Sequence, residues 1–208
     1  MSKLKTLSTL FLAVALTGCA AMNEQECQVT DWRAVGFEAG VAGRSVSSIA
    51  NYRQACSKFG VTPDLDSYRT GHSEGVEIYC RPARGFEVGR RGSSYQGVCP
   101  VGTEPEFLAA YGEGRQLYEL EYALRTVNNL IASKKKTLEQ LRTDIISTAA
   151  AIIADETSVA ERARLLGETA ALARNQGELE EEIAELEQER VIREVELLDY
   201  QETLAFVF

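Results

Sequence analysis

Starting at Leu117, alternating steps of three and four residues land on Leu120, Leu124, Val127, Ile131, Lys134, Leu138, Leu141, Ile145, Thr148 and Ile152. Nine of these eleven positions are apolar. A repeat of this period is the seam of a coiled coil, narrower than the stripe a globular helix buries. The segment "ADETSVAE" interrupts it, and Ser158 followed by Glu161 forms a capping box that starts a second helix. That helix carries Leu165, Leu172, Leu179, Ile183, Leu186, Leu197, Tyr200 and Leu204, with Thr169, Gln176, Arg190 and Arg193 as interruptions. Val191, Val195 and Leu198 form a competing line, which implies a register shift near Arg190. A turn this short folds the second helix back antiparallel. Helices of about 40 and about 45 residues make a rod of roughly 60 Å.

Upstream of the rod the chain is written differently. "GFEAG" (Gly36 to Gly40) returns as "GFEVG" (Gly85 to Gly89), with "GHSEG" (Gly71 to Gly75) and "AYGEG" (Ala110 to Gly114) as looser variants. None is followed by Lys-Ser or Lys-Thr, and the interior glutamates would repel a phosphate, so nucleotide binding is excluded. Glycines four apart share one helical face. Gly36 and Gly40, with Gly43 close by, therefore leave a groove for another backbone, and the ring beside the first glycine adds buried area. Each glycine costs helix propensity, about 1 kcal/mol relative to alanine, which close packing offsets. The spacing of the boxes is uneven, so the chain is no solenoid.

The N-terminus reads as an export signal. Lys3 and Lys5 precede an apolar stretch, Leu7 to Leu16, too short to span a bilayer, and Leu16-Thr17-Gly18-Cys19 follows. That ending resembles the lipobox of bacterial lipoproteins. The resemblance implies lipidation of Cys19, a palmitate-bearing membrane anchor and removal of residues 1–18. Two or more acyl chains anchor stably. In the lipoproteins it resembles, an aspartate at the next position often retains the protein in the inner membrane; here that residue is Ala20, so the resemblance implies the periplasmic face of the outer membrane. Removing residues 1–18 deletes two lysines and no acid, so the net charge falls from −9 to −11. An acidic chain is no nucleic-acid binder.

Four cysteines remain: Cys27, Cys56, Cys80 and Cys99. In an oxidising compartment they read as two disulfides with three possible pairings. The local pairs Cys27–Cys56 and Cys80–Cys99 close the shorter loops. A zinc site and free thiols are the rivals, but no CxxC exists and His72 is the sole histidine, so no metal or cofactor is expected.

Around the glycine boxes, Cys27, "DWRAVGFEAGVAGR", "YRQACSKFGVTPDLDSYRTGHSEGVEIYC" and "GFEVGRRGSSYQGVCP" resemble a domain of unknown function found in small Gram-negative lipoproteins, over residues 27–115. Members often carry an acid where this chain has Ala39. If that acid binds something, the first box lacks it, while Glu74 and Glu113 stand in later boxes. The resemblance implies a lipoprotein fold and supplies no activity.

The expected fold class is mainly α: a small disulfide-stapled α-rich domain with loops, then a long antiparallel coiled-coil hairpin. The expected divisions are a signal peptide at 1–18, a lipidated tether at 19–26, the glycine-rich domain at 27–115 and the hairpin at 116–208. No enzyme is expected. His72 occupies the place that Phe37, Phe86 and Tyr111 fill in the other boxes, so it is a packing ring rather than a catalytic base. Trp32 is the only tryptophan, short of the paired aromatics a glycan cleft uses. Ile146, Ile153 and Leu166 lie off the seam, so the hairpin is expected to bind an envelope protein or a second copy; a solvated two-helix spike is the plain alternative. A second candidate is the segment "RPARGFEVGRR". Its Pro and Gly suggest a loop in which Arg81, Arg84, Arg90 and Arg91, with Tyr95, bind an envelope glycan, an anionic lipid or the acidic rod itself; a solvated loop whose arginines stack on Tyr79, Phe86 or Tyr95 is the plain alternative.

Overall fold

The computed structural model describes residues 22–205. The chain is all-α: among the described residues there are seven α-helices, one short 3-10 turn and no strand. The lipidation candidate Cys19 lies outside the described residues. Two compact units form, the first ending at Val76 and the second beginning at Glu77.

The first unit holds α1 (Glu24–Val29), α2 (Trp32–Val41), a 3-10 turn (Val46–Ser48), α3 (Ile49–Ser57) and most of α4 (Leu65–Tyr79). Its helix starts are set by side chains that accept otherwise unpaired N–H groups. Asn23 and Glu26 form a reciprocal capping box on α1. Asp31 accepts from Arg33 and Ala34 at the head of α2. Asp64 accepts from the backbones of Asp66 and Ser67 and from the Ser67 hydroxyl, and the Ser67 N–H above all holds its carboxyl below the usual range. The core gathers Trp32, Ala39, Ile49 and Tyr68 around the bonded pair Cys27–Cys56.

The glycine boxes explain how α2 meets α4. A Cβ on Gly36 would fall on the carbonyl oxygen of Tyr68, and one on Gly40 on that of His72. Reciprocally, a Cβ on Gly71 would strike the carbonyl of Arg33, and one on Gly75 that of Phe37. Two glycine faces are pressed backbone to backbone, closer than any side chain permits. Gly43 is not part of this groove. It ends α2 at φ 67°, a left-handed conformation that glycine adopts without strain.

The second unit repeats the device. α5 (Pro82–Arg90) crosses the first turns of α6 (Glu104–Ile153), with Gly85 against the Phe107 carbonyl, Gly89 against that of Tyr111, and Gly114 against that of Phe86. Gly92 ends α5 at φ 71° as Gly43 ends α2. The next N–H returns to the helix in both cases, Arg44 to the Ala39 carbonyl at 2.9 Å and Ser93 to the Val88 carbonyl at 3.1 Å. The box ring of the opposing helix donates one residue past that glycine: His72 Nε2–H to the Arg44 carbonyl at 2.7 Å, Tyr111 O–H to the Ser93 carbonyl at 3.0 Å. Tyr68 and Phe107, at matching positions on α4 and α6, are both completely buried. Each crossing has its own bridge, Cys27–Cys56 and Cys80–Cys99, at sequence separations of 29 and 19. The four boxes are thus two copies of one disulfide-closed helix pair.

α6 starts at Glu104, well before the expected boundary at 115/116, and runs for 50 residues, so the fourth box belongs to the first turns of the hairpin helix. The hairpin continues in α7 (Val159–Ala205) after the expected turn, where Ser158 accepts from the Glu161 N–H at 3.2 Å. Every seam position of α6 from Leu117 to Ile152 is buried or half-buried. So is every α7 position of the series Leu165, Thr169, Leu172, Gln176, Leu179, Ile183, Leu186, Arg190, Arg193, Leu197, Tyr200 and Leu204. The anticipated register shift near Arg190 does not occur, and Val191, Val195 and Leu198 remain exposed. Arg190 and Arg193 hold the seam by laying their stems along it while their guanidiniums reach Glu194, and Glu189 with Glu196. Among the described residues no helix is long and apolar enough to cross a membrane.

Two outcomes are expected. Gly112 and Gly114 stand in one box, but a Cβ on Gly112 meets nothing within 4 Å whereas one on Gly114 lies 2.8 Å from the Arg90 nitrogen. Gly112→Ala should stabilise by up to about 1 kcal/mol and Gly114→Ala destabilise by roughly 1–3 kcal/mol in urea titrations. Each bridge should contribute about 3–4 kcal/mol by loop closure. Reduction should therefore release the two crossings and lower the melting temperature, while circular dichroism still reports the α6/α7 helices.

Candidate functional site

The arginine-rich segment is not a loop. Pro82 occupies the first turn of a helix, where its missing N–H costs nothing, and the glycines are spent on the crossing rather than on flexibility. Helical geometry scatters the arginines. Arg81 stands exposed at the N-cap of α5. Arg84 pairs with Glu87 at 2.8 Å, and Arg91 Nε donates to the Glu87 carbonyl at 3.2 Å, closing the helix end. Arg90 makes an ion pair to another helix, with Nη2 3.8 Å from Glu121 on α6.

Tyr95 is a strut of the core. Its hydroxyl donates to Glu104 and accepts from the Cys99 N–H, both at 2.8 Å, and its ring lies 4.9 Å from that of Phe107. Phe107 in turn packs against Tyr79 at 5.2 Å and stacks on Tyr111 at 6.3 Å. Burial raises the phenol pKa of both Tyr79 and Tyr95, so these groups stay neutral and serve packing. His72 is buried too, stacked on Tyr68 with centroids 6.1 Å apart. All four remaining cysteines are consumed by the two bridges. Among the described residues, no three His, Cys, Asp or Glu side chains converge to hold a metal.

Arg90 does join a group that sequence reasoning passed over. Tyr118 and Tyr122 stack at 6.0 Å on successive turns of α6. Arg115 lies 5.3 Å over the Tyr118 ring, and Arg125 sits 5.9 Å and 6.0 Å from the two rings. Glu121 bridges Arg90 and Arg125, whose nitrogens are 3.8 Å and 3.7 Å from its carboxylate. Gly92 admits the Tyr118 ring, since a Cβ there would lie 2.5 Å from its Cζ. The result is a platform of two phenols and three guanidiniums, with Tyr122 exposed. Chemically it offers ring faces and charged donors, but its cations are already answered by Glu121 and Glu119. The signal in the sequence was the i, i+3, i+4 spacing of Arg115, Tyr118, Tyr122 and Arg125, which the seam pattern overshadowed.

The hairpin supplies the other candidate surface. Ile146, Ile153 and Leu166 are exposed, as the off-seam spacing requires, and Val159, Val191, Ile192, Val195 and Leu198 join them.

No curated protein and no solved structure matches this chain. Residues 31–116, from the cap of α2 into α6, match the sequence model of a family described as a protein of unknown function (DUF2799), and the match ends before most of the hairpin.

Proposed function

We propose that this chain is a lipid-anchored protein of the bacterial envelope, without a catalytic role, whose helical hairpin presents an interaction surface to another protein. The observation that carries this reading is the row of large apolar side chains left on the outside of α6 and α7. A two-helix rod that only had to stay in solution would expose charge at these positions. The lipobox-like Leu16-Thr17-Gly18-Cys19 and the oxidised cysteines support an anchored location on the periplasmic side of the outer membrane. Within the second unit the α5/α6 crossing, with its Cys80–Cys99 bridge, serves as a reduction-sensitive base for the hairpin.

Labelling with palmitate should modify the full chain and not Cys19→Ala. Formaldehyde treatment of intact cells should give a protein adduct that disappears when residues 120–200 are deleted. A labelled chain that forms no adduct would remove the interaction role while leaving the anchor.

A second reading has one observation in its favour, the Arg90–Tyr118–Tyr122–Arg125 platform in an otherwise acidic protein. Such a surface stacks its exposed Tyr122 ring on sugar rings, and its arginines would exchange Glu119 and Glu121 for a carboxylate or phosphate of an envelope glycan or an anionic lipid headgroup. Here Tyr122→Ala with Arg125→Ala should weaken cosedimentation with peptidoglycan or with anionic vesicles at least threefold; unchanged cosedimentation with both would end this reading.

A further inference from the structure

We infer that the outer half of the hairpin, away from its base, is a docking face for a second copy of this chain. The inference rests on the reading of the hairpin as an interaction module and names its partner. In the seam register, position a falls at Leu117 and its heptad successors on α6, and at Thr169 and its successors on α7. Two ion pairs show which flanks face the same way. Lys135 bonds Glu187 at 2.7 Å, and Arg142 bonds Glu180 at 3.0 Å. All four residues occupy position e, so the e flanks of the two antiparallel helices lie on one side of the hairpin.

Followed toward the turn, this same side loses its charge. Beyond Arg142 its e and adjoining b positions are Ile146, Ala149 and Ile153 on α6. On α7 they are Val159, Ala163, Leu166, Ala170, Ala173 and Gly177. None of these nine is polar. The four large ones stand far out in water, with Ile146 70%, Ile153 79%, Val159 86% and Leu166 58% exposed. On α7 the opposite flank of the same stretch is charged and paired within its own helix, where Arg164 pairs with Glu161 at 2.8 Å and Glu168 at 3.0 Å. One side of the hairpin tip is therefore apolar and unpartnered, while the α7 flank of the other is ion-paired.

Size and charge both point to a second copy as the occupant. From Val159 to Gly177 the face is about 27 Å long on α7, and its apolar part on α6, from Ile146 to Ile153, is about 11 Å at 1.5 Å per residue, with Arg142 and Glu139 continuing that flank as a polar rim. With two helices across, face-to-face contact removes close to about 1,000 Å² between two copies, the floor for a specific interface. The small residues among the nine let helix axes approach to about 8 Å. A two-fold axis through the middle of the face makes the contact self-complementary and antiparallel. Asp155 and Glu156, at the tip, enter no ion pair among the described residues, and neither does Lys136 on α6. Lys136 precedes the turn by a distance equal to the face, about 27 Å. The two-fold arrangement thus sets each copy's unpaired lysine beside the other's unpaired tip acids. A partner with an acidic helical face would meet these tip acids with repulsion instead.

The test is photo-crosslinking in intact cells that produce two differently tagged forms of the full chain, with benzoylphenylalanine placed at Leu166 or, on the opposite flank, at Arg164. The expected product is an adduct of about twice the 22.9 kDa chain that carries both tags, formed from position 166 and at least tenfold weaker from 164. It should fall at least tenfold when Ile146→Glu and Ile153→Glu are added, changes at exposed positions that leave the seam intact. An adduct at 166 with a different protein overturns the second-copy inference while keeping the hairpin as an interaction module. Absence of any adduct at 166 overturns the docking face itself, and a formaldehyde adduct dependent on the hairpin would then place the interaction elsewhere on α6 or α7.

Discussion

Backbone-to-backbone contact between glycine faces is what the rest of this structure depends on. Where α2 meets α4, and where α5 meets α6, main-chain carbonyls occupy the space a methyl group would take. No side-chain repacking could relieve a Cβ there, because the opposing atom is itself fixed in a helix ladder. The cost is several helix-weakening residues in short helices that would be marginal in isolation. Three things offset it: the dispersion gained at close approach, the buried rings Tyr68 and Phe107, and one disulfide per crossing.

The recurrence of this unit explains features that look unrelated when taken singly. A histidine and a tyrosine perform the same task, donating to the backbone one residue after a left-handed glycine. Either ring suffices because the position demands only a flat, partly buried group with an N–H or O–H at the correct reach. Nothing at that position demands a titratable group, and the burial, stacking and hydrogen bond of His72 are those of a packing ring. The same logic accounts for the helical form of the arginine-rich segment. Its glycines are committed to a crossing, its proline to a helix start, and two of its four arginines to Glu87.

How much of this was legible in the sequence differs by element. The seam from Leu117 to Ile152 could be read directly, because a period of 3.5 over eleven positions has no other common origin. The start of α6 could not, since Pro105, Gly112 and Gly114 look like loop residues until their partner helix is known. The same blindness turned α5 into an expected loop. The false register shift near Arg190 came from counting polar residues as breaks, whereas a long arginine can cover a seam with its stem. Of the candidate site, the glycine faces were visible as spacing. Which box pairs with which was not, because pairing is set by tertiary contact rather than by local pattern. The arginine and tyrosine platform was missed for a related reason: half of it is an ordinary i, i+4 helix surface, and Arg90 joins only through the fold.

The long helix α6 serves both the crossing and the rod, and this has a physical consequence. Gly114 lies in the α5 crossing and Leu117, one turn later, in the seam with α7. A helix is stiff over such a distance, so the crossing fixes where the hairpin projects from α5. The Cys80–Cys99 bridge holds the crossing shut. Near its base the hairpin is braced further, because Tyr200 donates to the Glu113 carbonyl at 3.0 Å. Toward the turn the seam has no such support: from Glu139 to Ile153 no α6 residue is fully buried, and on α7 only Leu165 is buried before Ile183. Two helices alone bury too little there to be firmly held, and uncovered apolar side chains line one flank of that same weakly packed stretch. A surface that is both under-packed and uncharged gains most from a partner, since association adds a third and fourth helix to a seam that two cannot fill.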